Sequence, residues 1–282
     1  MSLRGVLERA AAAAVSFPPS SRLLGRLSEM RTPAPVLRPL LRGYVRLYGV
    51  DLQEAADPLE AFPTFNAFFT RRLRPGARPL PADETVIVSP ADSRLTSVGR
   101  VPADGRLEQV KGRSYAIDEL LGSAEEGARF REGVQATLYL SPSMYHRVHC
   151  PLDARVRAWT YIPGRLFPVN AFSVRAVEGL FVRNERVAVF LESEALGSLA
   201  VVMVGAANVG RMTLSFASLV TNAGASAGTF RPSSEIRLRR GDELGAFNLG
   251  STVVLLAADG RLDPLASPGG IVRVNSALFA KK

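Results

Sequence analysis

The sequence predicts an α+β protein, with a mostly β core (barrel-like or sandwich-like) behind a helical, basic N-terminal region. Three observations predict it. Up to about residue 50, apolar residues recur at helix-like spacing among arginines. From about residue 85, short β-branched runs alternate with Gly and Pro turn signals. Hydrophobic residues make up 47% of the 282, enough to bury a sizeable core in one large domain or in one domain plus a small appendage.

The N-terminal region carries Arg4, Arg9, Arg22, Arg26, Arg31, Arg38, Arg42 and Arg46 against only Glu8 and Glu29. Leu23, Leu24, Leu27, Leu37, Leu40, Leu41, Val45 and Leu47 supply its apolar positions. Pro18, Pro19 and the cluster Pro33, Pro35 and Pro39 are expected to break it into short pieces. Such helices can rest in a membrane interface, apolar face inward and Arg at the headgroups, or pack on their own domain.

In the core, strands are expected at Thr85–Val88, Ala136–Leu140, Ala188–Leu191, Leu199–Val204 and Thr252–Leu256, and a short helix at Ile117–Leu121. Residues 219–234, rich in Ser, Gly, Ala and Thr, read as a mobile loop.

The formal net charge of +9 points to an acidic partner, whether nucleic acid, an anionic membrane or an acidic metabolite. Aromatics do not interleave with the basic residues as in a nucleic-acid-binding face, so no nucleic-acid partner is expected. The lone cysteine, Cys150, excludes an intramolecular disulfide. The longest apolar runs, Ala10–Val15 and Val253–Ala258, fall far short of the ~20 residues of a spanning helix.

The chemistry concentrates in three places. The only two histidines, His146 and His149, sit three apart. Histidine is the usual proton carrier near neutral pH, so any acid–base chemistry by histidine belongs to this pair. On a helix they would share a face; on a strand they would diverge. Two His without a third ligand make a weak zinc site, and no metal is expected. Gly250-Ser251 stands at the edge of a strand, and Asp92 follows a short strand in the segment SPADS. Asp92, His149 and Ser251 together offer nucleophile, base and orienting carboxylate, which suits a hydrolase or a self-cleaving protein. The absence of G-x-S-x-G around Ser251 counts against an α/β-hydrolase.

Six stretches then add a specific resemblance. FNAFFTRRLRPGARPL, SPADS, KGRSYAIDELLG, YLSPSMYHRVHCPLDARV, GRLFPVNAFSVRAVEGLFVRNERVAVF and LGAFNLGSTVVLL occur in that order. Together they resemble the bacterial-type phosphatidylserine decarboxylases over about residues 40–280. One departure is Ser93, where many relatives carry Gly; Asp92 itself is retained.

The resemblance implies a proenzyme that cuts itself between Gly250 and Ser251. Residues 1–250 become a β subunit and residues 251–282 an α subunit. Ser251 becomes a covalent pyruvoyl group, the cofactor that forms a Schiff base with the substrate. It further implies that Asp92, His149 and Ser251 form the charge relay for cutting, and that His146 assists decarboxylation. The substrate would be phosphatidylserine, met by residues 1–50 at the cytoplasmic face of the cell membrane, with 51–282 as the decarboxylase domain. A pyruvoyl enzyme acting on a soluble amino acid, or less favourably a Ser-His-Asp hydrolase, are the competing readings. A homo-oligomer is left open.

Overall fold

The computed structural model describes residue 25 and residues 27–207, 211–248 and 251–281. The expectations that fall on residues 1–24, and on Gly250, lie outside the described residues.

Helix α1 (Ala34–Tyr48) begins after Pro33 and closes on Gly49, whose φ of 66° is the left-handed conformation glycine adopts freely. The break expected at Pro39 does not occur. Proline there forfeits one bond, to the Pro35 carbonyl in the first turn, and buried Leu37 and Leu41 hold the helix on either side. A second helix, α2 (Phe65–Phe69), is capped by Thr64 Oγ1, which accepts from the Ala67 N–H. Leu37, Leu41, Val50, Leu59, Phe62 and Phe68 form a small core of their own. Tyr44 Oη ties this appendage to the main body by donating to Pro142 O at 2.9 Å.

The main body is strand-rich, as expected. In chain order its strands are β1 (Ile87–Val88), β2 (Ser93–Arg100), β3 (Arg106–Val110), β4 (Arg113–Ala116), β5 (Val134–Leu140), β6 (Arg147–His149), β7 (Ala154–Ile162), β8 (Arg186–Ser193) and β9 (Gly197–Gly205). There follow β10 (Arg211–Leu214), β11 (Gly228–Phe230), β12 (Arg237–Leu238), β13 (Glu243–Asn248), β14 (Ser251–Ala257), β15 (Leu262–Pro264), β16 (Ile271–Val272) and β17 (Ala277–Lys281). The expected short helix at Ile117–Leu121 is present, closed by Gly122 at φ 70°.

One nine-stranded sheet dominates, in the order β11-β7-β8-β9-β14-β5-β2-β16, with β12 also on β7. Its path is open, so the core is not a closed barrel. A second sheet, β10-β13-β6, carries the histidine segment, and a third, β1-β17-β15, holds the C-terminal strand. The stretch read as a loop contains β11, which pairs with Trp159–Tyr161 of β7. Phe230 stacks on Trp159 with centroids 6.0 Å apart, and the Thr229 and Thr160 hydroxyls meet at 2.8 Å. Those cross-strand contacts outweigh the turn-rich composition.

β14 is buried at every residue and lies between β9 and β5, paired with seven residues of each. Its unbroken apolar run suits a strand covered on both faces.

Candidate active site

Ser251 opens β14. Its main chain pairs with Leu140 on one side and Gly205 on the other. The side chain is fully buried, and Oγ has no hydrogen-bond partner among the described residues. Leaving a buried hydroxyl unpaired costs about 1–3 kcal/mol, so such a group marks strain or function. Directly opposed residues point to the same sheet face, and the opposing residue here is a glycine. A Cβ at Gly205 would come within 3.2 Å of Glu185 O and of the Leu166 side chain. Glycine therefore removes a cross-strand neighbour from beside the serine. Upstream, Asn66 of α2 donates to Asn248 Oδ1 at 2.9 Å, and Asn248 donates to Arg211 O at 3.2 Å, which fixes the end of β13.

His146 lies just before β6, and its carbonyl accepts from the Phe247 N–H at 3.0 Å. The imidazole is fully buried against Phe69, ring centroids 4.0 Å apart. Nδ1 lies 2.8 Å from Met144 O, so Nδ1 carries the proton and donates it. That leaves Nε2 as a bare lone pair, buried and without a partner among the described residues. Burial, reinforced by the nearby Arg71 charge and opposed by the bond to Met144, pushes the imidazole down to about 3. His146 is a neutral base whose basic nitrogen faces no donor among the described residues.

His149 is bonded at both nitrogens. Nδ1 meets Gly241 O at 2.7 Å and Nε2 meets Tyr145 Oη at 3.0 Å. Nδ1 donates, so Nε2 accepts from the tyrosine, whose hydroxyl burial pushes up to about 12. Burial lowers the His149 pKa, against the pull of the Gly241 bond and of the Glu243 and Asp92 charges. The two histidines are held by different partners, as expected for residues straddling the start of a strand.

Asp92 does not hydrogen-bond His149 in this structure. Its carboxylate is taken by Arg78, Nε to Oδ1 at 2.9 Å and Nη2 to Oδ2 at 2.6 Å, and by the Val274 N–H at 2.8 Å. A bidentate guanidinium satisfies a carboxylate so well that the imidazole finds a backbone carbonyl instead. Asp92 and His149 are nevertheless neighbours, because the His149 N–H donates to Pro90 O at 2.8 Å in the same turn.

Beside these residues lies a cavity of about 180 Å³, lined among others by Arg71, Arg78, Asp92, Tyr145 and Arg273. Sequence reasoning did not single out Tyr145, Arg71 or Arg78, although all three lie inside the stretches quoted above. A tyrosine four residues before a histidine has no signal of its own until a turn brings the rings to a centroid distance of 5.6 Å. Cys150 is buried, and burial pushes its thiol up to about 12, which makes it inert packing.

Comparison with known proteins places this arrangement. The family model described as phosphatidylserine decarboxylase matches residues 65–280. The chain belongs to the phosphatidylserine decarboxylase family. It is 47% identical over 263 residues to a phosphatidylserine decarboxylase proenzyme of Anaeromyxobacter sp. (strain K), covering 92% of each chain. A protein of the same name from Myxococcus xanthus (strain DK1622) is 42% identical over 236 residues, 84% of each chain. One from Halorhodospira halophila (strain DSM 244 / SL1) is 44% identical over 273 residues, 95% of this chain and 89% of the relative. The family match spans α2, both histidines, Asp92 and Ser251, so the whole site lies within the decarboxylase region.

Proposed function

We propose that this chain is a proenzyme that cuts itself before Ser251, converts Ser251 to a pyruvoyl group and decarboxylates phosphatidylserine to phosphatidylethanolamine. The observation that carries this reading is the buried, unpartnered Ser251 Oγ at the head of a central strand, in a member of this family. A serine retained only for packing would have a partner or an apolar substitute.

In the cut, Ser251 Oγ attacks the Gly250 carbonyl and turns the peptide bond into an ester. Loss of the serine Cα proton and cleavage of the Cβ–O bond release Gly250 as a carboxylate and leave a dehydroalanine end. Its hydrolysis releases ammonia and yields the pyruvoyl carbonyl. His149 takes the hydroxyl proton, with Tyr145 able to pass it along and Asp92 acting through its charge rather than through a bond. Once formed, the pyruvoyl group supplies the electron sink on which carbon dioxide leaves. His146, neutral with a bare Nε2, is suited to accept and return a proton in a dry site. The site fits the group in that no protein donor competes for its oxygen among the described residues.

Residues 251–282 would stay attached after the cut as the α subunit. β14 remains clamped between β9 and β5, β17 pairs with β1 and β16 with β2, and Asp92 holds Val274.

The region 1–50 would attach the enzyme to the cytoplasmic face of the membrane. Among the described residues no helix is long and apolar enough to cross a bilayer. α1 has two apolar faces instead of one. Leu37 and Leu41 face the protein, while Val36, Leu40 and Leu47 form a second, exposed stripe, Leu47 at 75%. Arg38, Arg42 and Arg46 fall on the other side of the helix, a quarter-turn or more away. An exposed apolar stripe together with a separate basic face is the pattern of an interfacial helix.

The test of the function is an intact-mass spectrum plus release of labelled carbon dioxide from serine-labelled phosphatidylserine. The expected result is two chains, the smaller starting at position 251 with a ketone end, and release that stops on reduction with borohydride. One uncut chain that still decarboxylates, or a Ser251→Ala chain that is still cut, overturns the reading.

A further inference from the structure

The cavity next to the histidine segment is lined by a buried cation that makes no ion pair among the described residues. Arg71 follows α2 and is only 4% exposed. Nη2 donates to Ser143 O at 3.1 Å and reaches Met144 O at 3.5 Å. Nε is buried and has no acceptor among the described residues. The guanidinium lies over the Phe68 ring, 5.6 Å from its centroid. The other two arginines of the cavity differ. Arg78 is committed to Asp92 and Glu54, and Arg273 to Glu54. Asp51 also lines the cavity but makes no ion pair with Arg71. Burying a guanidinium without a carboxylate costs several kcal/mol, so a protein that keeps one has reserved it for a ligand or for structure.

Its position favours a ligand. Arg71 Nη2 and His146 Nδ1 share one acceptor, Met144 O, so the guanidinium on the cavity wall and the buried imidazole are neighbours, with Arg71 Nε left as the unpaired donor among the described residues. The Nε–Nη edge of arginine presents two parallel donors matched to an oxyanion.

We propose that Arg71 receives the phosphodiester of the lipid headgroup; this rests on the decarboxylase reading above. The substrate offers two anions, and the chemistry separates them. The carboxylate loses its charge as carbon dioxide departs. An arginine gripping it would stabilise the ground state more than the transition state and slow the reaction. The phosphodiester keeps its charge throughout, so holding it orients the reacting carbon at no cost to the chemical step.

The product distinguishes the two anions, because phosphatidylethanolamine keeps the phosphodiester and lacks the carboxylate. Wild type, Arg71→Gln and Arg71→Lys enzymes are compared in mixed micelles, with soluble glycerophosphoethanolamine as competitor. Arg71→Gln should raise KM for phosphatidylserine and Ki for glycerophosphoethanolamine together, each by about tenfold or more, the loss of a charge-assisted pair. Lysine should restore part of both. An unchanged Ki overturns the proposal: with a raised KM it assigns Arg71 to the carboxylate, and with an unchanged KM it makes Arg71 structural. If the glutamine variant is not cut, calorimetric binding of glycerophosphoethanolamine to Ser251→Ala and to Ser251→Ala/Arg71→Lys replaces the kinetics. Equal affinity there refutes the proposal, and a several-fold weaker one with lysine supports it. Wild-type carbon dioxide release reports separately on the decarboxylase reading, so the two cannot fail indistinguishably.

Discussion

Removing His146 should change how the precursor responds to acid. In the folded chain burial drives this imidazole from an ordinary 6.5 to about 3. A depressed histidine pKa means that, below pH 6.5, the unfolded chain binds a proton that the native chain refuses. The native state therefore loses stability as pH falls from about 6.5 toward 3, and is unaffected above that window. Each pH unit inside the window is worth about 1.4 kcal/mol. Between pH 7 and pH 5 the His146 contribution comes to about 2 kcal/mol, a large share of an ordinary folding free energy. The comparison is made in the uncut Ser251→Ala chain, so that dissociation of subunits does not intrude. Urea unfolding is followed by fluorescence of the single tryptophan, Trp159, at several pH values, with and without His146→Gln. The chain with His146 should lose about 2 kcal/mol more than the chain without it over that interval. His149 and the carboxylates contribute equally to both and cancel. Parallel pH profiles would refute a buried, neutral His146, and so remove it as a dry-site base.

Two further outcomes are expected. His149→Ala and Asp92→Asn should slow the cut by tenfold or more (about 1.4 kcal/mol of barrier), whereas His146→Ala should still be cut but decarboxylate poorly. Denaturing gels and carbon dioxide release read these out, and equal loss of cutting in both histidine variants would end the division of labour. On the membrane side, Leu40→Glu/Leu47→Glu removes two side chains whose burial contributes up to about 1.5–3 kcal/mol each. Flotation with anionic vesicles should fall about tenfold or more while cutting proceeds, and unchanged flotation would show that α1 is not the anchor.

Much of this molecule is legible along the chain. Thr252–Leu256 reads as a strand because it is a short, largely apolar run that opens on β-branched residues, and it lies fully buried between two others. The histidine pair, Asp92 and Ser251 stand out because few residue types perform proton transfer or nucleophilic attack, and this chain has only two histidines. Where local rules misled, tertiary contacts had overridden them. Pro39 sits within α1 because Leu37 and Leu41 are anchored in the small core. Gly228–Phe230 becomes a strand because Trp159 offers Phe230 a surface to stack on.

Chain order alone determined the class of fold, the location of the strand that holds Ser251, and the histidines able to move a proton. Those depend on side-chain chemistry and on periodicity, which are local. Which group meets which was decided in three dimensions. Asp92 faces His149 in any scheme drawn from the sequence, yet Arg78, fourteen residues upstream, captures its carboxylate by a bidentate fit. Met144 O collects both Arg71 and His146, residues far apart in the chain. Packing also puts two near-adjacent histidines in different environments, one bonded at both nitrogens and one left with an Nε2 that has no partner among the described residues. Hydrogen-bond partners and desolvation are properties of the packed site, and no spacing along the chain encodes them.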